Sequence, residues 1–364
     1  MTLPAGMLLD RAGQELPLAE LAGLWPLGGW TSASLVAGGK NEHLRVAAAD
    51  GVHYLRRSYR SKPGDELARQ LALMRLLRDR GFPAPVVVPS SDGADHAGLS
   101  GRWWTATRGI EGGPFDGGSR AHVRELGRTL AVYHRTVADL PAPVAEPAVL
   151  AELRRRAAEP GVDPALRTRT ARVVGRLSGL LPELPRVVVH GGARRGSLVF
   201  DGDHVVGVLD FDSAHPDVRV LDLAVAVHDV GKVYTRLGDA GNKVALDLDR
   251  ITELLAAYSR EIRPTAAELE ALPLLLEAKR LKRGLGRRGR VRDGDPCPGT
   301  TTRRSDWRTS ASPGWTTTGT RWRPPAGRRC ADNYPRAPRP AGHPSAGGDH
   351  QALELGLQEI LHVL

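Results

Sequence analysis

Apolar and polar residues alternate in short runs over residues 30–57, and Gly-rich or Asp-Gly segments separate the runs. A period of two that is interrupted by turn residues is typical of antiparallel strands. Over residues 65–80 the apolar residues recur instead at helical spacing, up to a break at Gly81. Strand-like runs return at 86–88 and 103–107. This pattern predicts a small lobe in which an antiparallel sheet packs with one helix.

Beyond this lobe the segment 109–118, GIEGGPFDGG, is rich in glycine and is interpreted as a hinge. Residues 120–140 then have the period of a long helix. Over residues 186–214 short apolar runs alternate with turn residues, and an Asp-Gly pair within them predicts a hairpin. Helical spacing resumes at Val220 and continues through the remaining apolar sequence. A second, mainly helical lobe is therefore predicted.

The predicted organisation has four segments. The first lobe spans residues 1–108, of which about the first 27 are left without an assignment, and the hinge and helical lobe span residues 109–286. A low-complexity segment occupies residues 287–350, and a short helix is expected over residues 351–364. Together the two lobes predict an α+β fold.

The net charge of +10 is concentrated in residues 287–350, which contain 13 Arg and no Lys. Three of the seven Trp and a single Val also lie there, with no Leu, Ile, Met or Phe. Such a composition has too little apolar surface to form a core. Interleaved Arg and Trp would allow non-specific nucleic-acid binding. The composition better matches a GC-rich gene read out of frame, so a disordered or frame-shifted segment is the preferred interpretation.

Only Cys297 and Cys330 are present, which excludes a disulfide framework and a four-cysteine zinc site. A reducing, cytoplasmic setting is expected. We expect no membrane association, because no window reaches about 18 uninterrupted apolar residues, and the N-terminal sequence lacks a basic region followed by an apolar core.

Two motifs of the first lobe could contact phosphate. Gly38, Gly39 and Asn41 belong to GGKN, a glycine turn whose backbone N–H groups could approach phosphate oxygens. An ordinary hairpin turn is the alternative. Arg56 lies in the strand HYLRRSY and carries the charge that phosphates require, with an exposed strand arginine as the alternative. Arg57 is expected on the opposite face of the strand.

The second lobe carries a longer motif, HGGARRGSLVF, followed by VLDFDSA. Taken with the order of the elements over about 250 residues, these motifs resemble the aminoglycoside phosphotransferase and choline kinase family. The resemblance implies a protein-kinase-like fold that uses ATP or GTP and Mg²⁺. It also implies a small acceptor with a hydroxyl group, such as a metabolite or an antibiotic.

Each motif residue takes an implied role from that resemblance. Arg56 would hold the α- and β-phosphates, and Asp210 would bind Mg²⁺, which prefers hard oxygen ligands. Gln70 stands where the family usually has the Glu that pairs with the phosphate-binding cation. Glu66, one turn earlier, could compensate, although a carboxylate near a helix start also has a structural explanation. His190 matches the histidine of the catalytic loop and would hold the loop backbone.

Two positions of the catalytic loop depart from the family pattern. Gly192 stands in place of the Asp that accepts the proton of the attacking hydroxyl, and Ser197 stands in place of the metal-binding Asn. Glycine has no group that can act as a base. Loss of a general base typically slows a reaction by about 10²- to 10⁴-fold. The sequence therefore predicts a phosphotransferase with impaired turnover, with a nucleotide-binding pseudokinase or a decayed gene product as alternatives.

Overall fold

The computed structural model describes five stretches of the chain: residues 8–36, 41–58, 63–143, 146–236 and 242–288. Within them lie an antiparallel sheet of six strands and a mainly helical region that follows it. The predicted α+β fold with a sheet lobe and a helical lobe is confirmed.

The sheet of the first lobe has the strand order β1-β2-β3-β6-β4, and β5 pairs with β6. Every neighbouring pair is antiparallel, as the period-two alternation predicts. The strands are β1 (Trp30–Val36), β2 (Glu42–Ala48), β3 (Gly51–Arg57), β4 (Val87–Val88), β5 (His96–Leu99) and β6 (Arg102–Arg108).

One face of the sheet is covered by the N-terminal segment, for which the sequence pattern gave no element. Helix α1 (Leu18–Leu24) places Leu21 in a core with Trp25 and the sheet residues Leu44 and Leu55. The Trp25 indole N–H also donates to the Val88 carbonyl at 3.1 Å. The segment is too short to show a clear period, and its burial depends on a sheet that forms later in the chain.

Helix α2 (Gly64–Asp79) connects the two lobes. Its apolar side chains, including Leu67, Leu71 and Leu77, are buried in the same core as the helices that follow. The helix ends at Gly81, whose φ of +78° suits glycine. The predicted 65–80 helix is confirmed, and its core contacts are with the second lobe.

The second lobe is built on helices α3 (Arg120–Thr136), α4 (Ala148–Ala157), α5 (Pro164–Leu180), α6 (Val220–Val230), α7 (Leu248–Ser259) and α8 (Ala266–Arg288). Helices α3 and α7 cross in close contact at Gly127, where a Cβ would overlap the Leu254 carbonyl oxygen. Asp163 caps α5 by accepting from the N–H groups of Ala165 and Leu166.

Short strands between α5 and α6 carry the loop that the sequence motif identified. Strands β7 (Arg186–Val189) and β10 (His215–Val218) pair antiparallel, and β8 (Leu198–Asp201) and β9 (His204–Val208) form the predicted hairpin. The hinge contacts this hairpin through mutual backbone hydrogen bonds between Gly113 and Phe200.

The helical pattern that resumes at Val220 is interrupted by a hairpin that the sequence did not predict. Helix α6 ends at Val230, and β11 (Lys232–Arg236) pairs antiparallel with β12 (Asn242–Leu246) before α7 begins. The sequences KVYTR and NKVAL contain β-branched and aromatic residues that favour strands, and the pairing between them is a tertiary signal that helical periodicity does not detect.

Predictions for the basic segment concern residues outside the described part of the chain, apart from the last two residues of α8. The same holds for the helix expected over 351–364. Among the residues that the structure does describe, no helix is both long and apolar enough to cross a membrane.

Two helical glycines allow a matched test of the packing between α3 and α7. We expect Gly127→Ala to lower the free energy of unfolding by about 1–3 kcal/mol, because the added methyl group forces the two helices apart. Gly175→Ala is the control, since the exposed Gly175 on α5 has open space around it and alanine favours helix by about 0.5–1 kcal/mol. Urea unfolding of both variants measures the difference, and equal effects would contradict the close packing.

Candidate active site

The cleft between the lobes is marked by one carboxylate, that of Asp212, which contacts three side chains of the first lobe. Arg56 approaches it through Nη2 at 2.5 Å, and the Gln70 amide donates to the same oxygen at 2.8 Å. The Asn41 amide donates to the second oxygen at 2.5 Å. Asp212 therefore connects β3, α2 and the residue before β2 in the first lobe to the segment after β9.

The Arg56 guanidinium is incompletely hydrogen-bonded at this position. Its Nε and Nη2 atoms are buried and make no hydrogen bond within the described residues, because the approach to Asp212 is an ion pair without hydrogen-bond geometry. Strand alternation turns Arg57 to the other face, where it pairs with Asp10 at 2.7 Å and with Glu42. A buried guanidinium with unused N–H groups suits an oxyanion such as phosphate.

Asp210 lies two residues before Asp212. It is an exposed residue with φ 66° and ψ 55°, a left-handed conformation that is uncommon outside glycine. Its carboxylate makes no hydrogen bond or ion pair with any residue in the described part of the chain. Asp210 and Asp212 both act electrostatically on His43 of β2, which places the two carboxylates at the cleft.

These carboxylates suit a divalent cation. Mg²⁺ is commonly held by one or two protein carboxylates, with phosphate oxygens and waters completing the octahedron. The exposed carboxylate of Asp210 fits that pattern. No group of three or more metal-ligating side chains occurs among the described residues, so any cation there would depend on oxygens that a nucleotide brings.

The catalytic-loop backbone is fixed by a fully buried carboxylate, that of Asp222 on α6. It accepts from the N–H of His190 at 2.7 Å and from the N–H of Gly191 at 2.8 Å. Gly191 has φ +71°, and a Cβ there would overlap the Ser213 carbonyl oxygen. Glycine and the Asp222 carboxylate together determine the path of the chain into the loop.

A chain of hydrogen bonds through His134 to Tyr258 holds Asp222 in place. His134 lies 3.1 Å from Asp222 through Nε2 and 2.9 Å from the Tyr258 hydroxyl through Nδ1. Burial opposes ionisation of Asp222, but the bonds from His134 and His190 hold the pKa of its carboxyl below the usual value. Asp222 therefore stays ionised, and it orients the loop from a site that water does not reach.

His190 joins the loop to the segment that carries Asp210. Its Nε2 faces the Leu209 carbonyl at 3.1 Å, and its Nδ1 accepts from the Gly192 N–H at 3.2 Å. Burial lowers the pKa of this imidazole, which agrees with a neutral ring that accepts on one nitrogen and donates on the other. The position fits the expected role of His190 as a support for the backbone.

The loop that contains Gly192 and Ser197 is well formed, although the Asp and Asn side chains of the family pattern are missing there. A Cβ on Gly192 would lie 3.6 Å from His190 Nδ1 and 3.8 Å from the Asp210 carbonyl oxygen, which are ordinary contacts. The buried Ser197 hydroxyl accepts from the Arg194 N–H at 2.9 Å and lies 2.7 Å from the Arg194 carbonyl oxygen. The backbone at residue 192 therefore tolerates a Cβ, while the Ser197 hydroxyl hydrogen-bonds within the loop.

Of the predicted first-lobe residues, Arg56, Gln70 and Asn41 meet at Asp212. Gly38 and Gly39 lie outside the described residues, and Glu66 is exposed on the first turn of α2. Sequence reasoning missed Asp212 as the acidic partner of Arg56. The signal was a second Asp in VLDFDSA, two residues after the expected metal ligand.

A two-lobed fold with a cation–carboxylate cleft and a glycine-rich loop defines a kinase-like phosphotransferase. The model of the phosphotransferase enzyme family matches residues 10–271. The chain belongs to that family.

Curated relatives are homoserine kinases. That of Rhizobium meliloti (strain 1021) is 27% identical over 280 residues, which cover 74% of this chain and 82% of the relative. That of Rhodopseudomonas palustris (strain ATCC BAA-98 / CGA009) is 29% identical over 281 residues, which cover 75% and 83%.

Solved structures with the same fold include an amicoumacin kinase in complex with AMP-PNP, Ca²⁺ and Ami. Its TM-score is 0.58 at 14% identity, with coverage of 74% of this chain and 84% of that one. A microcompartment-associated aminopropanol kinase has a TM-score of 0.55 at 19% identity, with coverage of 74% and 87%. At these identities the likeness concerns the fold.

The pairing of Gln70 with Asp212 can be tested by exchanging amide and carboxylate. We expect Gln70→Glu and Asp212→Asn each to lower stability, because the first places two carboxylates at one site and the second leaves Arg56 without its anion. The double variant restores one amide and one carboxylate. It should be more stable than the sum of the single effects by about 1–3 kcal/mol.

Ala68→Glu adds the same charge at an exposed position of α2 and serves as the control. Its effect should simply add to that of Asp212→Asn. Equilibrium urea unfolding of all the variants gives the coupling energies. If the effects of the Gln70 and Asp212 substitutions simply add, the contact makes no contribution to the free energy of unfolding.

A second prediction concerns acid stability. The pKa of His190 is below its ordinary value of 6.5, so the unfolded chain binds a proton that the folded chain excludes. The contribution of His190 to the free energy of unfolding is fully present above pH 6.5. It is lost as the pH falls from 6.5 through the lowered pKa of the folded state. His190→Gln should therefore show a shallower loss than the wild type in urea midpoints at pH 7.5, 6.0 and 5.0. Exposed His204→Gln is the control, and equal slopes in all three proteins would contradict the assignment.

Proposed function

We propose that this protein binds ATP or GTP with Mg²⁺ in the cleft between its lobes and transfers the γ-phosphoryl group slowly to a small acceptor hydroxyl. Membership of the phosphotransferase family supports the reaction class. The slow rate follows from Gly192, which offers no base at the position where the loop faces the reacting hydroxyl.

The buried, incompletely bonded guanidinium of Arg56 is the observation that carries the nucleotide site. Arg56 lies opposite His43 of β2 in the sheet. Its Nη2 is ion-paired with Asp212, and its buried Nε makes no hydrogen bond to a described residue. When phosphates enter, these donors gain an acceptor without any rearrangement of the sheet. Asp210 would hold a divalent cation, which would supply positive charge to offset the phosphate oxygens.

The acceptor is proposed to be a compound of the size of homoserine, because curated relatives of similar length are homoserine kinases. In the transfer, the acceptor oxygen forms a bond to phosphorus as the bond between phosphorus and the β,γ-bridging oxygen breaks. The acceptor hydroxyl must also release its proton. In this chain Gly192 cannot take that proton, so it passes to water.

The test restores the missing groups. We expect Gly192→Asp with Ser197→Asn to raise phosphoryl transfer to L-homoserine by at least about 10²-fold, because a carboxylate accepts the proton and an amide adds a metal ligand. A Cβ at residue 192 would make only ordinary contacts with its neighbours. Product formation is measured with ATP and with GTP, alongside nucleotide hydrolysis without acceptor.

Asp210→Ala in the restored background is the control, and it should abolish the gain. Equal rates in the native and restored proteins, both abolished by Asp210→Ala, would mean that another base acts in the native loop. A restored protein that transfers phosphate to none of the small hydroxyl compounds tested would reject the proposed reaction.

A nucleotide-binding protein without turnover is the second candidate, and the absence of a base at Gly192 favours it. The two are separated by calorimetric binding of AMP-PNP with Mg²⁺. Binding with no measurable transfer in the native protein identifies a pseudokinase. Binding should fall about 10-fold or more in Arg56→Gln, since a hydrogen bond to a charged group contributes about 1.5–3 kcal/mol.

A further inference from the structure

The first described segment of the chain, residues 8–16, lies on the face of the sheet opposite the cleft. The Leu16 side chain is buried there in the first-lobe core. The Asp10 carboxylate accepts from the backbone N–H groups of Ala12 and Gln14, each at 2.8 Å. These bonds hold the segment in a turn, which we call the N-terminal turn.

Charged contacts join the N-terminal turn to the sheet. Arg57 at the end of β3 pairs with Asp10 at 2.7 Å and with Glu42 at the start of β2, its neighbour across the ladder. Glu42 also accepts from the backbone N–H of Arg11 at 3.0 Å. The side chains of Asp10, Glu42 and Arg57 are less than one-fifth exposed. Hydrogen bonds between charged groups are among the stronger ones, so the turn is held firmly against the ends of both strands.

Arg11 contacts the residue that leads into the cleft. Its guanidinium donates through Nη2 to the Asn41 backbone carbonyl at 3.3 Å. The side-chain amide of Asn41 donates in turn to Asp212 at 2.5 Å, and Asp212 pairs with Arg56. A continuous series of contacts therefore runs from the N-terminal turn, around the end of the sheet, to the guanidinium of the candidate nucleotide site.

Asn41 lies just outside the ladder of β2 and β3, which begins at the pair of Glu42 and Arg57. A residue beyond the end of a ladder lacks its hydrogen bonds and keeps more conformational freedom than one inside it. A binding group at such a position is held precisely only if surrounding residues restrict it. The bond from Arg11 to the Asn41 carbonyl is such a restriction.

We propose that Arg11 is a positioning residue for the nucleotide site. It holds the Asn41 backbone, so that the Asn41 amide keeps Asp212, and with it Arg56, in place for the phosphates. This inference rests on the proposed nucleotide-binding function and extends the site to the opposite face of the sheet. Because these groups are ordered before the nucleotide arrives, binding costs less conformational entropy.

Calorimetric titration of the full chain with AMP-PNP and Mg²⁺ tests this role without requiring turnover. Arg11→Ala keeps the backbone N–H that donates to Glu42 and removes the guanidinium. We expect the affinity to fall about 3- to 10-fold, the range for one hydrogen bond. Arg11→Lys should recover part of the loss, since an ammonium also donates to a carbonyl. Arg78→Ala, which removes the same charge from an exposed position of α2, should bind as tightly as the native protein.

A double-mutant cycle tests whether Arg11 acts through Asn41. In an Asn41→Ala background, Arg11→Ala should change the affinity by less than about 2-fold, because the amide that Arg11 positions is absent. If the two losses of affinity simply add, Arg11 acts on the nucleotide by another route and the inference is overturned.

Urea unfolding of the same variants distinguishes positioning from support of the fold. Arg11 is exposed, so Arg11→Ala should leave the urea midpoint close to the native value. A lowered midpoint together with lost binding would mean that Arg11 stabilises the lobe, which contradicts the inference. Native binding that Arg11→Ala leaves unchanged would reject this inference alone, whereas a native protein that binds no AMP-PNP would reject the proposed function as well.

Discussion

The buried carboxylate of Asp222 is the contact on which the active-site loop depends. It accepts hydrogen bonds from the N–H groups of His190 and Gly191 and is held by His134, so the loop is shaped from the α6 side by fully buried groups. A buried carboxylate that accepts several hydrogen bonds stays ionised and is costly to remove. For this reason the loop keeps its path although Gly192 and Ser197 lack the side chains of the family pattern. The path of the loop backbone therefore does not depend on an Asp at position 192 or an Asn at position 197.

The acidic partner of Arg56 also differs from the family pattern. Helix α2 presents a neutral amide at Gln70, and the anion for Arg56 comes from Asp212 of the opposite lobe. The pair therefore joins the lobes as well as orienting the guanidinium. Asp210 remains exposed and without a bonded partner among the described residues, which leaves its carboxylate available to a cation. Of these two neighbouring aspartates, Asp212 contacts the first lobe and Asp210 does not pair with any described residue.

Local sequence signals were sufficient to predict the two lobes, the α2 helix and the β8–β9 hairpin, because periodicity and turn residues are local. Motif resemblance also singled out Arg56, Gln70, His190, Gly192 and Asp210 as predicted site residues. Tertiary structure alone decided that α1 covers the sheet, that β11 and β12 pair, and that Asp212 is the partner of Arg56. These features depend on contacts between residues far apart in the chain, and the energy of such contacts is set by burial and geometry that no local pattern records.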